Sequence, residues 1–235
     1  MKRGESRFRT ASVFLILGLP LWVLSSSRAK DLGPDFVDVS QIPGVWVDLR
    51  YASSNNFMGE DLYLDFRTAA LHTKAAKKLR EAARLLQKRN PGWTLLVFDA
   101  LRPRDVQQRL WDKVKGTDKQ SYVADPQKGS VHNYGFAVDL SLRDENGVEV
   151  DMGTPFDAFE PLAQPKVEDQ FALQGKLTSA QMTNRRLLRE VMEKSGFKQL
   201  SFEWWHFDAL SKEKARNQYP IVETFEFLTK RDMVK

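Results

Sequence analysis

His132 and Asp139 stand seven residues apart in the run Ser130-Val131-His132-Asn133-Tyr134-Gly135-Phe136-Ala137-Val138-Asp139. An imidazole and a carboxylate are both donors that zinc accepts, and a catalytic zinc site takes three protein donors with one position left for water. The chain holds three histidines, His72, His132 and His206. His206 closes the run Glu203-Trp204-Trp205-His206, which sets a carboxylate three residues before an imidazole. Water activated by a metal needs a nearby base, and a glutamate that does not ligate the metal supplies one. The residues therefore offer a zinc site of His132, Asp139 and His206 with Glu203 as base. Each half alone has a plainer reading, a hydrogen-bonded histidine near a strand and a surface aspartate. The two halves together favour the metal site. His72 has no acidic partner at ligand spacing and reads as a surface or packing residue.

The elements that position these groups follow from periodicity. After Gly135, Phe136, Val138, Leu140 and Leu142 alternate with Ala137, Asp139 and Ser141, the period of a half-buried strand. His132 then lies on a loop that folds back toward Asp139. Residues 45–51 are β-branched and alternating, a second strand candidate. Residues 68–88 carry alanine and leucine at three- and four-residue spacing, a helix with Thr68 at its start and Asn90-Pro91-Gly92 at its end. The apolar run 94–98 suits a buried strand. It leads into Asp99-Ala100-Leu101-Arg102-Pro103, where Pro103 is placed to open the next helix. Arg102 thus sits at a strand-to-helix junction, a place for a functional side chain or for an ordinary surface arginine. Asp144-Glu145-Asn146-Gly147 is a turn from which 148–150 can return as a hairpin strand. Asp157 suits a helix cap or a cation. Residues 184–195 form a helix ending at Gly196. Residues 197–200 and 202–207 are strand-like, and 219–222 suit an edge strand. In an ideal strand Glu203 and His206 would face opposite ways, so the base-and-ligand reading requires a bend between them.

The N-terminus reads as a secretory signal over residues 1–29. Lys2, Arg3, Arg7 and Arg9 precede an apolar run over 11–24, and Ser27-Arg28-Ala29 offers small residues for cleavage before Lys30. That run of 14 residues is shorter than the roughly 20 of a spanning helix; an uncleaved anchor is the alternative. The chain has no cysteine, so a lipid-modified cysteine at the N-terminus and any disulfide are excluded. Of the net charge of +5, four charges lie in residues 1–29, where Lys2, Arg3, Arg7, Arg9 and Arg28 face Glu5. The remainder is close to neutral and makes no case for nucleic-acid binding. Residues 30–235 are enough for one domain with a sizeable core.

With Ser-x-His-x-x-Gly-x-Ala-x-Asp and Glu-Trp-Trp-His in place, the chain resembles the D-alanyl-D-alanine dipeptidases of the vancomycin-resistance type, within the zinc D-Ala-D-Ala metallopeptidases. The resemblance extends through Asp48-Leu49-Arg50-Tyr51-Ala52, Asn56-Phe57-Met58-Gly59, Asp99-Ala100-Leu101-Arg102-Pro103, Met152-Gly153-Thr154-Pro155-Phe156-Asp157 and Asn184-Arg185-Arg186. It implies a single α+β domain of the hedgehog/D-Ala-D-Ala metallopeptidase kind, a central mostly antiparallel sheet with packed helices and the zinc site on the sheet. By that similarity His132, Asp139 and His206 hold one Zn2+ per chain, Glu203 is the base and Arg102 holds the scissile carbonyl. Asp157 and Tyr51 grip the free ammonium of a dipeptide, and Ser130 lines the pocket wall. The implied activity is hydrolysis of D-Ala-D-Ala. Its rivals are a D,D-carboxypeptidase or endopeptidase on peptidoglycan stem peptides and a non-catalytic zinc or peptidoglycan-binding module. The implied partner is a small dipeptide, with no nucleic acid and no stable membrane association after signal cleavage. The signal places the protein outside the cytoplasmic membrane, periplasmic or secreted. Intact-mass measurement of protein recovered from an expressing cell's envelope fraction is expected to show a chain beginning at Lys30; full-length protein confined to the cytosol would contradict export.

Overall fold

The computed structural model describes Met1 and residues 35–226. Apart from Met1, the expected signal, the lead-in up to 34 and the last residues 227–235 lie outside the described residues. In chain order the elements are strands Phe36–Asp38 (β1), Val45–Val47 (β2) and Ala70–His72 (β3), helix Thr73–Arg89 (α1), strand Thr94–Asp99 (β4) and helix Arg104–Val114 (α2). Strand Ala137–Arg143 (β5), helices Glu168–Leu173 (α3) and Ser179–Lys194 (α4), strands Lys198–Gln199 (β6) and His206–Asp208 (β7), and helix Lys212–Gln218 (α5) follow. The order across the central sheet is β2-β4-β5-β7-β6. Only β2 and β4 run parallel; every other neighbouring pair is antiparallel. A separate antiparallel ribbon joins β1 to β3. The architecture is the expected single α+β domain with a mostly antiparallel sheet.

The helices lie where their apolar stripes can be buried. Ala75, Ala76, Leu79, Ala82, Ala83 and Leu86 line the inner face of α1, and Leu187, Leu188, Val191 and Met192 that of α4. The two helices meet each other, α1 covering β4 and α4 covering β5. This side of the sheet is an apolar core, and its burial is the main favourable term holding the fold.

The sequence reading departs from the structure at several element boundaries. The expected half-buried strand is buried on both faces, because Asp139 and Ser141 are shielded as fully as Val138 and Leu140. The alternation there separates an apolar face from a small polar face, with neither open to water. α1 starts at Thr73 and not at Thr68, because residues 70–72 are drawn into pairing with β1. His72, whose Nδ1 accepts from the Lys74 N–H at 3.2 Å, takes the capping role. It stacks on Phe136 at 4.4 Å, the packing role expected of it. Pro103 is the residue before the first turn of α2, not within it. Of 45–51 only Val45–Val47 is strand; Arg50–Ala52 is a 3-10 turn. The return of 148–150 is a single bridge, Arg143 with Glu149. α4 begins five residues before 184, where Thr178 and Gln181 exchange hydrogen bonds as a capping box. Residues 219–222 form no strand, and α5 precedes them.

One glycine decides how the central loop meets its strand. Gly135 ends the 3-10 turn Val131–Tyr134 at φ 70°, the left-handed region. A Cβ there would sit 2.7 Å from Phe36 Cε1 and 3.1 Å from the His72 backbone nitrogen. Gly135→Ala is expected to lower stability by about 1–3 kcal/mol, from backbone strain and this overlap; the midpoint of urea unfolding checks it.

Candidate active site

The sheet register puts the polar residues in a row. Asp99 of β4 stands opposite Asp139 of β5, and Asp139 stands opposite His206 of β7. A register shift between Val97 and Asp99 brings Asp99 into this row. His132 comes from the 3-10 turn, capped by Ser130, whose Oγ accepts the His132 N–H at 3.4 Å. That turn is stitched to the end of β4. The Arg102 N–H donates to the His132 carbonyl at 3.2 Å, and Asn133 Nδ2 donates to the Arg102 carbonyl at 2.7 Å. The bend required between Glu203 and His206 is present. Residues 201–205 turn, with the His206 N–H on the Glu203 carbonyl at 3.4 Å, and β7 begins only at His206. Trp204 anchors the turn through Nε1 on Thr154 Oγ1 at 2.9 Å.

The structure brings His132, Asp139 and His206 together, with one donor atom from each within 4.8 Å of the others. His132 Nε2 is 3.2 Å from His206 Nδ1, and Asp139 Oδ1 is 3.3 and 3.0 Å from them. The outer nitrogens are occupied. His132 Nδ1 donates to the Ala100 carbonyl at 2.6 Å, and His206 Nε2 to Asp208 Oδ1 at 3.0 Å. These bonds set the tautomers so that the two inner lone pairs converge with a carboxylate oxygen. Two imidazole nitrogens and a carboxylate oxygen at this spacing could hold a metal ion, and the N, N, O set fits one with a position left open. Burial disfavours charge on His206, yet Asp208 and Asp139 push its imidazole well above the usual histidine range. Burial likewise works against ionising Asp139, but His132 and His206 hold it well below the usual carboxylate range.

Arg102 is buried beside the cluster. Its Nε and Nη2 donate to Asp99 Oδ2 at 2.8 and 2.5 Å, Nη2 also to Asp139 Oδ2 at 3.2 Å, and Nη1 to Gln107 Oε1 at 3.2 Å. Its guanidinium carbon lies 4.9 Å from the centre of the Tyr51 ring. Asp99 is fully buried and also accepts from the Tyr63 hydroxyl and the Ala100 N–H. Glu203 Oε2 lies 4.0 Å from His206 Nδ1. Burial, with the Asp139 charge, pushes the Glu203 carboxyl up to about 7, against the pull of His206 and Arg102. Tyr51 donates its hydroxyl to Asp157 Oδ1 at 3.1 Å. Asp157 holds φ 61° without being glycine, and its Oδ2 is shielded from water with no hydrogen-bond partner among the described residues. Burial and the Asp139 charge push its carboxyl well above the usual range.

All eight residues singled out in the sequence line one cavity of about 390 Å³: Tyr51, Arg102, Ser130, His132, Asp139, Asp157, Glu203 and His206. Reading the sequence missed Asp99, Gln107 and Asp208. Asp99 stands three residues ahead of Arg102, and Asp208 two residues past His206. Nothing in the sequence says that either carboxylate turns inward, and only the strand register shows it.

An α+β sheet that gathers a histidine–aspartate–histidine group, an arginine and a glutamate in one cavity defines a hydrolase built around a group that can hold a metal. A family model described as D-ala-D-ala dipeptidase matches residues 33–224, and the chain belongs to this family of peptidases. It is 35% identical over 175 residues to the D-alanyl-D-alanine dipeptidase of Escherichia coli (strain K12), covering 74% of this chain and 84% of that protein. It is 31% identical over 207 residues to the D-alanyl-D-alanine dipeptidase of Enterococcus faecium, covering 80% and 96%. Among solved structures it is similar to the LD-carboxypeptidase LdcB, with TM-score 0.42 and 20% identity over 82% of this chain and 77% of that one.

Asp208 is the acceptor that holds the His206 tautomer. Asp208→Ala is expected to weaken divalent-metal binding about 10–100-fold, the usual cost of losing such a partner. Competition against a chelator of known affinity measures it, and unchanged affinity would show that His206 is oriented by other means.

Proposed function

We propose that the chain hydrolyses the D-Ala-D-Ala dipeptide to two molecules of D-alanine, with one zinc ion per chain held by His132 Nε2, Asp139 and His206 Nδ1. Zinc bound there would supply a Lewis acid that makes water nucleophilic near neutral pH and polarises the scissile carbonyl. The other functions fall to the chain's own side chains. Glu203, buried at the edge of the cluster, takes a proton from the attacking water and returns it to the amide nitrogen as the C–N bond breaks. Arg102, held against Asp99, Asp139 and Gln107, presents a fixed cation to the carbonyl oxygen as negative charge builds on it. Because its partners already orient it, little reorganisation is needed during the reaction. Tyr51 and Asp157 bind the substrate ammonium, and Ser130 lines the wall beside His132.

One observation carries the dipeptide reading. Asp157 Oδ2 is shielded and unpartnered, on a backbone held at positive φ. A buried polar atom without a partner is costly, and strain of this kind persists where the surroundings impose it. A free ammonium satisfies that oxygen, whereas an acylated amine leaves the carboxyl facing an apolar group. Tyr122 and Phe159 wall the same cavity, their rings stacked at 5.1 Å, with Phe57 packed on Phe159 at 4.9 Å. This supports a short substrate over a long stem peptide. With the signal reading of residues 1–29, the proposed site of action is outside the cytoplasmic membrane, on dipeptide released during wall turnover or taken as nutrient.

The test is hydrolysis of D-Ala-D-Ala against its N-acetylated form by the zinc-loaded protein. Preference for the free dipeptide is expected, and equal or better cleavage of the acylated form would favour a carboxypeptidase. Glu203→Ala is expected to keep zinc while losing about 10²–10⁴-fold in kcat; unchanged hydrolysis would remove Glu203 from the base role. The base form of Glu203 is the ionised one, so activity is lost as pH falls through its pKa. Burial sets that pKa at about 7, and a bound cation draws it lower, so the acid limb of kcat/KM is expected at or below about pH 7.

A further inference from the structure

A free dipeptide carries two charges, and the residues discussed so far account for one of them. The ammonium has Asp157. The carboxylate of the leaving residue must enter a cavity whose lining already holds Asp139, Asp157, Glu203 and Asp208. Uncompensated, it meets like charge in a poorly solvated space. Apart from the imidazoles of the metal group, two basic side chains line this cavity, Arg102 and Lys212. Every guanidinium nitrogen of Arg102 already donates to the protein, to Asp99, Gln107 or Asp139. The side chain of Lys212, at the start of α5, makes no hydrogen bond or ion pair among the described residues. It is exposed, with Arg216 and Lys128 on one hand and Asp125 and Asp208 on the other as its charged neighbours.

Its position agrees with the chemistry. Lys212 is shared between the catalytic cavity and a neighbouring groove that also contains Leu200 and Asp208. Asp157 is shared with a different hollow, beside Arg50 and Phe156. The two residues therefore mark separate rims of one cavity. Lys212 shares its rim with Asp208, whose Oδ1 accepts from His206 Nε2 at 3.0 Å, and so lies on the metal group's side of the cavity. We propose that the Lys212 ammonium pairs with the free C-terminal carboxylate of the substrate and so sets the requirement for an unblocked C-terminus. The assignment rests on the dipeptidase reading and adds a second recognition point to it. Lys212 selects substrate and takes no part in bond making or breaking.

The experiment compares D-Ala-D-Ala with its C-terminal amide, using zinc-loaded wild type, Lys212→Gln and Lys212→Arg. Wild type is expected to prefer the carboxylate by about 10-fold or more in kcat/KM, a difference on the order of one charge-assisted contact. Lys212→Gln is expected to raise KM for the dipeptide about 10-fold with kcat changed by less than about 3-fold, and to cut the carboxylate-over-amide preference to near one. Lys212→Arg is expected to restore much of that preference. If wild type cleaves the dipeptide and Lys212→Gln keeps the full preference, the Lys212 assignment is overturned while the dipeptidase reading stands. If wild type cleaves neither substrate, the dipeptidase reading fails and the assignment falls with it.

Discussion

Asp99, Asp139 and His206 occupy one level of three adjacent strands, and that row of buried charge is what the rest of the molecule is arranged to satisfy. A carboxylate taken out of water is tolerated only when cations and donors surround it. Asp99 meets Arg102, Tyr63 and the Ala100 N–H. Asp139 meets the two imidazoles and Arg102. The row is sealed below by the apolar face of the sheet and its two long helices, and above by loops that reach back over it. Removing one member leaves another charge buried and unpaired, so the site and the fold share an energetic foundation.

The loops over the row are held by short, directional contacts more than by apolar area. The turn carrying His132 is pinned through Asn133 to the Arg102 carbonyl and through Gly135 to the His72 N–H, so the imidazole arrives with its outer nitrogen already engaged. The segment carrying Asp157 is tied to α4 from below, where Arg185 Nε donates to the Met152 carbonyl at 2.7 Å and Nη1 to the Leu162 carbonyl at 3.0 Å. An arginine buried in the middle of a helix is expensive. Here its hydrogen bonds hold both ends of the loop that positions Asp157, and its charge answers Glu168 at 3.7 Å. These contacts let residues spread over more than 150 positions converge on one cavity with defined orientation.

The candidate metal group and Glu203 were legible in the sequence because their chemical types and spacing are scarce, whereas the roles of Tyr51, Ser130 and Asp157 were expected from the resemblance alone. Three histidines and one tight Glu-x-x-His spacing leave few ways to build a metal centre, and the surrounding runs are specific when taken together. The supporting residues were not legible. Asp99 and Asp208 are common acidic residues at positions where a surface role fits equally well, and their turn inward depends on a register shift in β4 and on the short span of β7. Lys212 lies in a tail whose mixed composition showed no period, although α5 forms there.

From the chain alone came the long amphipathic helices, the buried strand ahead of Arg102, and the candidate metal group with its base, while the class of fold came with the family resemblance. Local periodicity and residue type carry that information, because each depends on neighbours a few positions away. Only the folded molecule decided where strands stop, which imidazole nitrogen faces inward, and that an aspartate oxygen is left without a partner. Those outcomes depend on contacts between residues far apart in the chain, where register and burial override local preference.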